Sequence, residues 1–342
     1  MYERWHPISY QVSTTSTTRI VGSDPVSAAI GIAQTVFPAR RPNAVILTRP
    51  DFFPVVLAAA RLLHRPFDAV MLYTDGEQLE DSVSRELIRL SPQGNGLPGQ
   101  VIVIGTVHAN VLHDLTQLGF SVCHLLGHDL WDTVGRIADC EPSADSEYAL
   151  LVSADPQGGG IAAGSFAAST GSPILFASER GLSDMATRYL HKHPRKKLIV
   201  AAPESYLPAT LGSEVRKAGS KIEAWVGGRD VFETAVELAQ LRKGKVKFAF
   251  GKKERKGGGL ALVPVEQWAF GAASAALSNV GRSIPLLLTR HDRLPSVVEE
   301  FLYDLQARSQ EVRLHGFVIG SFDVINQPVQ IMLHRAIAPD GF

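Results

Sequence analysis

Apolar positions along this chain fall into short unbroken runs rather than strict alternation. The first stretches of this kind read NAVILT from Asn43, FDAVMLY from Phe67 and QVIVIG from Gln100. Each run is bounded by turn residues and followed by a segment with helical spacing. Runs of this length, alternating with helical patterns, predict parallel strands buried on both faces by crossover helices.

The pattern then repeats. A short strand ending in Gly-x-Asp and leading into a helix occurs at Gly22, Gly127 and Gly228, intervals of about one hundred residues. An apolar strand, a turn and an Ala-rich helix follow from Asn43, Tyr148 and Leu260. A third element runs from Phe67, Ser172 and Ser283, and a fourth from Gly99, Lys196 and His315. Four elements in one order, three times over, predict an α/β chain of three tandem doubly wound parallel-sheet repeats, Rossmann- or Toprim-like. The expected boundaries are a flexible leader at 1–18 and copies at 19–123, 124–222 and 223–342, the last carrying a basic insertion at 242–259.

The repeated Gly-x-Asp step has a local explanation. Asp24, Asp129 and Asp230 each precede a helical pattern, where a carboxylate accepts from free backbone N–H groups and suits the helix dipole. Pro25 after Asp24 fits the first helical position. A ligand role for the exposed loop beside each Asp is the alternative. Gly158, Gly159 and Gly160, between a strand and a helix, suggest a phosphate cradle. The corresponding turns carry Phe52, Phe53 and Pro54, or Trp268, Ala269 and Phe270, which favours close helix packing instead.

Composition narrows the classes. Hydrophobic residues make up 45% and charged residues 20% of the 342, as in a folded soluble chain. Lys+Arg and Asp+Glu both total 34, so any electrostatic partner must meet a local patch, and nucleic acid is not expected. One such patch is the segment Arg242–Lys256, with eight basic residues against the single acid Glu254. Alternating Val246, Phe248 and Phe250 suggest a hairpin, so Lys243, Lys245, Lys247, Lys252 and Lys253 could grip an anionic polymer, with aromatic stacking beside them. A solvated edge ribbon is the plain alternative. Cys123 and Cys140 have no metal-ligand spacing and are expected as buried thiols, with a bridge as the alternative. His108 and His113 lack the Glu of a helical zinc motif, and the basic connector HKHPRKK at His191 reads as exposed. No metal, cofactor or catalytic constellation is expected. The start of the chain has no apolar signal core, and no stretch is long enough to span a bilayer.

Taken together, the copies resemble the type 2 cell-wall-binding repeat family of bacterial surface proteins. Arg19, Ile20, Gly22 and Asp24 match the opening of that family's unit. Gly127, Asp129 and Thr133 match in the second copy, and Gly228, Asp230, Thr234 and Ala235 in the third. Pro173 with Ile174, Leu175 and Phe176, and Pro285 with Leu286, Leu287 and Leu288, resemble its Pro-Ile-Leu-Leu run. The resemblance spans residues 19 to about 337 and implies a pseudo-threefold trimer within one chain, attached non-covalently to anionic cell-wall glycan polymers at the cell surface. It places ligand contacts at the apolar triplets and the clefts between copies. The family's arginine after the Asp is missing, although Trp131 and Phe232 keep an aromatic there. Arg19 is replaced by His124 and Trp225. The export signal usual in the family is also missing, and the chain as given would stay in the cytoplasm if complete. Two other readings stand beside anchoring: a self-associating structural protein, and an enzyme using nucleotides or sugar phosphates through Gly158–Gly160.

Overall fold

A computed structural model describes residues 11–140, 146–252, 258–279, 283–308 and 313–338. It is an α/β structure with three main sheets and, among the described residues, 12 α-helices. The first sheet runs Val70–Tyr73, Val45–Thr48, Val101–Ile104, Val122–Leu125, all parallel. The second runs Lys221–Trp225, Lys197–Val200, Tyr148–Ser153, Ile174–Ser178, with Gly181–Leu182 added antiparallel at its edge. The third runs Thr17–Ile20, Leu314–Ile319, Gly258–Pro264, Leu286–Thr289, with Gln11–Ser13 antiparallel at the outside. In each sheet the second element lies between the third and fourth. The chain steps outward and then crosses back, which is the doubly wound arrangement. The central strands Val45–Thr48, Val70–Tyr73 and Val101–Ile104 are buried throughout, as their unbroken apolar runs predict.

Beyond the fourth element, the outer strand of every sheet is the Gly-x-Asp strand of the following copy. For the third sheet the following copy is the first, so the amino-terminal strand Thr17–Ile20 pairs with Leu314–Ile319, Thr17 beside Gly316 and Ile20 beside Ile319. The chain thus closes into a ring. Arg19 fastens the closure: its side chain is fully buried, and Nη1 donates to Gly320 O (2.8 Å) and Ser321 O (3.1 Å). Nε donates to Gln330 Oε1 (3.0 Å), Nη2 reaches Asn326 O (3.4 Å), and the guanidinium lies 4.4 Å from the Phe322 ring centre. Desolvation pulls its pKa down to about 10, still far above neutrality.

The Ala-rich second-element helices meet at the centre of the ring. Phe53–Ala59 and Trp268–Ser274, each extended by a 3₁₀ turn, pack with Ile161–Thr170. Ile161 through Ala168 are all buried, which is why this helix shows no polar face. Small residues permit the approach: a Cβ on Gly271 would come within 2.2 Å of Ile161 Cγ2. Each central helix also packs on the Gly-x-Asp helix of the next copy: Phe53–Ala59 on Leu130–Asp139, Ile161–Thr170 on Val231–Ala239, and Trp268–Ser274 on Pro25–Val36. Buried Arg61 ties one of these seams, donating from Nη1 to Ile137 O (2.6 Å) and to Ala138 O at the carboxyl end of the neighbouring helix. No helix among the described residues is long and apolar enough to cross a membrane.

Candidate functional site

The three Gly-x-Asp corners are one device built three times. Asp24 Oδ1 accepts from Ser27 N (3.0 Å), Asp129 Oδ1 from Asp132 N (2.7 Å), and Asp230 Oδ1 from Phe232 N and Glu233 N (both 2.9 Å). In the first copy Ser27 Oγ accepts in return from Asp24 N (3.3 Å), which completes a capping box. In the later copies the third helical residue reaches one position further back: Asp132 Oδ2 accepts from His128 N (2.8 Å) and Glu233 Oε2 from Arg229 N (2.7 Å), each the residue before the cap. Those backbone bonds, helped by Arg136 and Arg229, hold both carboxyls below their ordinary range. The glycines are needed by closeness: a Cβ on Gly22 or Gly127 would lie 2.4 Å from a backbone nitrogen of the helix, and one on Gly228 2.5 Å from Glu233 Cβ. Asp24, Asp129 and Asp230 remain exposed at their surfaces, but each is already engaged as a cap.

Arg19 and His124 occupy matching places before these corners. His124 Nε2 lies 2.9 Å from Gly105 O, as Arg19 Nη1 lies 2.8 Å from Gly320 O, so both tie an outer strand to the end of the fourth. The apolar triplets lie inside the sheets. Ile174, Leu175, Phe176, Leu286, Leu287 and Leu288 are 0–1% exposed, so the resemblance's contact positions offer no surface here. Their burial on both faces of a parallel sheet is the physical reason.

Side chains of neighbouring copies meet at the carboxyl ends of the strands, at each seam. The first seam joins Phe53, Trp131 and Phe176, with Phe53–Phe176 ring centres at 6.4 Å and Trp131–Phe176 at 5.8 Å. Trp268 extends the aromatic chain from the third copy, 5.3 Å from Phe53. At the equivalent seams Tyr73 Oη donates to Ala269 O (2.7 Å), and Gly159 abuts Val231. Gly158–Gly160 are therefore packing glycines: a Cβ on Gly158 would meet Ser153 Cβ at 2.4 Å, and one on Gly159 would meet Val231 at 2.9 Å. Trp131 is half-buried. Phe232 is 7% exposed beneath the Arg290 guanidinium, 5.3 Å from its ring centre. Arg290 follows the third element's strand and has no motif to announce it.

The basic segment forms a short hairpin, Arg242–Lys243 with Val246–Lys247, turning at Gly244. Lys243, Lys245 and Lys247 are exposed; Lys252 bonds Ser283 Oγ (3.1 Å), and Lys253 lies outside the described residues. The expected aromatic stacking surface is not formed. Phe248 is 1% exposed against Phe166, and Phe250 packs 6.1 Å from Phe301, because the chain turns into the core at Ala249–Gly251.

Cys123 and Cys140 are half-buried, and burial raises the thiol pKa of both. Both should stay protonated at neutral pH and react with iodoacetamide in the folded protein far more slowly than in urea. Equal rates would show that the thiols are not shielded.

No protein-family model matches the chain. Over 228 residues, 66% of its length, it is 22% identical to the N-acetylmuramoyl-L-alanine amidase LytC of Bacillus subtilis (strain 168), and the match spans 43% of that protein. Cwp8 from Clostridium difficile has a TM-score of 0.75 at 16% identity, over 96% of this chain and 52% of that one. Cwp6 from the same organism has a TM-score of 0.72 at 16% identity, over 97% and 50%. The likenesses to Cwp8 and Cwp6 show the fold. The three-sheet ring is the fold of these clostridial cell-wall proteins, and the chain spans about half the length of either.

Proposed function

We propose that this chain is a non-catalytic cell-wall module that attaches without covalent bonds to anionic wall polymers, at the cell surface. The supporting observation is fold likeness to two cell-wall proteins across nearly the whole chain. The curated relative is named an amidase, and this chain spans 43% of it, so an amidase activity is not carried over. What this chain itself supplies is a rigid ring with exposed basic side chains on the Arg242–Lys247 hairpin, chemistry that suits repeating negative charge.

Co-sedimentation with purified walls tests the reading. The protein should pellet with intact walls, be released as salt rises, and stay in solution with walls stripped of anionic polymer. Equal retention on stripped walls, or none on either, would overturn it. Release of wall peptide during the incubation would overturn the non-catalytic part.

A further inference from the structure

The central helices start together and end together, so the ring has two faces. Phe53, Phe176 and Trp268 converge at the carboxyl ends of the strands. At the amino ends His64 Nδ1 meets Ala168 O (3.2 Å), Ser169 meets Ser283 (2.9 Å), and Asn279 Nδ2 donates to Asp68 Oδ1 (2.9 Å). The zero net charge of the chain divides between these faces. The carboxyl-end loops expose Asp51, Asp75, Glu77, Asp155, Glu179 and Asp292. Three arginines on that face are engaged in pairs, Arg49 with Asp51 (2.6 Å), Arg229 with Glu233 (3.0 Å) and Arg290 with Glu266 (3.0 Å), while Arg180 and Arg293 are exposed beside Glu179 and Asp292. The amino-end loops instead expose Arg41, Arg65, Arg195, Lys243 and Lys245, together with Arg40, which pairs with Asp68.

The positive charge is densest at the amino end of the second sheet. Two basic runs far apart in sequence, around Lys192–Lys197 and Arg242–Lys247, meet there about Glu147. Lys197 pairs with Glu147 and sits in register beside Lys221 of the next strand. Lys197 chiefly, and Lys245 more weakly, hold the Glu147 carboxyl below its ordinary range. The Gly244 turn approaches Glu223, which pairs with Lys221 at 2.9 Å. Glu147 also lines a shallow depression with Lys192 and Arg195. Two carboxylates therefore stand among several exposed cations, and the unbalanced charge is open to solvent.

We propose that this amino-end face, centred on Lys197, Lys221, Lys243, Lys245 and Lys247, is where the anionic wall polymer binds, and that the acid-rich loops at the opposite face do not hold it. The inference rests on the anchoring reading above. A chain with one negative charge per repeat can run along the strip and release counterions as it contacts each ammonium. At the other face the same chain would meet the capping aspartates and the loop acids. The opposed charges would also turn the module in the approach, basic face towards the wall.

The test compares the wild type, a K243E/K245E/K247E variant and a control E179K/D292K variant in the wall co-sedimentation assay. All changed positions are exposed, and thermal melts confirm that each variant is folded. The hairpin variant should bind at least about tenfold more weakly, with a salt slope shallower by about three, one for each lost contact. The control should bind as the wild type or more tightly. A wild type that binds no walls removes the anchoring reading itself. A wild type that binds walls, with the hairpin variant binding equally, overturns this inference alone. Equal affinity of the wild type for DNA of matched charge would also overturn it, by showing an indiscriminate polyanion patch.

Discussion

Arg19→Ala is expected to lower the unfolding free energy by about 3–5 kcal/mol, since several buried acceptors lose their donor at once. Gly320 O, Ser321 O, Asn326 O and Gln330 Oε1 all point at this one fully buried guanidinium. Alanine also leaves a cavity beside Phe322, whose ring now lies under the cation. Lysine reaches into the same space with one nitrogen and cannot serve acceptors on several sides, so Arg19→Lys should recover only part of the loss. Because Arg19 lies on the strand that closes the third sheet, the weakened region is the ring closure. Opening it would bare the edge of Leu314–Ile319, and self-association should follow at high protein concentration. Chemical denaturation with sedimentation velocity checks both parts. A loss below about 1 kcal/mol would show that strand pairing closes the ring without the clamp.

The repeat was legible in the sequence because two constraints leave marks on it. Burial on both faces writes unbroken apolar runs, as at Val45–Thr48 and Val101–Ile104, and steric closeness admits only glycine at Gly22, Gly127 and Gly228. The aspartates were legible as caps for the same reason: a local bond needs only local sequence. Pairing across copies leaves no such mark. Nothing in the residues Thr17–Ile20 says that their neighbour is Leu314–Ile319, since register between parallel strands is settled by crossover packing far away. The apolar triplets illustrate the converse. Their pattern was visible, but a contact role was carried over to Ile174–Phe176 and Leu286–Leu288, whose side chains the sheets enclose. The basic strip was seen in halves. Lys243, Lys245 and Lys247 stood out as a run, whereas Lys197 and Lys221 belong to another sheet and join them only through Glu147 and Glu223. Phe248 and Phe250 alternated as a ribbon would, yet the positive-φ turn at Ala249 drives both rings towards the core.

Gly127→Ala should cost about 2–3 kcal/mol, since a methyl group there has no room. The new Cβ would lie 2.4 Å from Thr133 N and 2.6 Å from Asp132 C, both backbone atoms of a helix that cannot rotate away as a side chain can. Relief requires the helix Leu130–Asp139 to retreat from the strand end. That retreat pulls on Thr133 Oγ1, which accepts from Gly127 N at 2.9 Å, and on Asp132 Oδ2, which accepts from His128 N at 2.8 Å. It also disturbs the carbonyls that Arg61 holds from the first copy, so the cost spreads across the seam. Gly212→Ala is the matched comparison. Gly212 lies inside the helix Leu211–Lys217, and its added Cβ would meet only the end of the flexible Arg216 side chain, at 3.7 Å. There the gain in helix propensity should stabilise the protein by about 0.5–1 kcal/mol. Opposite signs for the same chemical change would place the cause in the packing of the corner. Two variants of equal stability would mean that the strand-to-helix corner yields, and that the recurring glycine is not enforced by closeness.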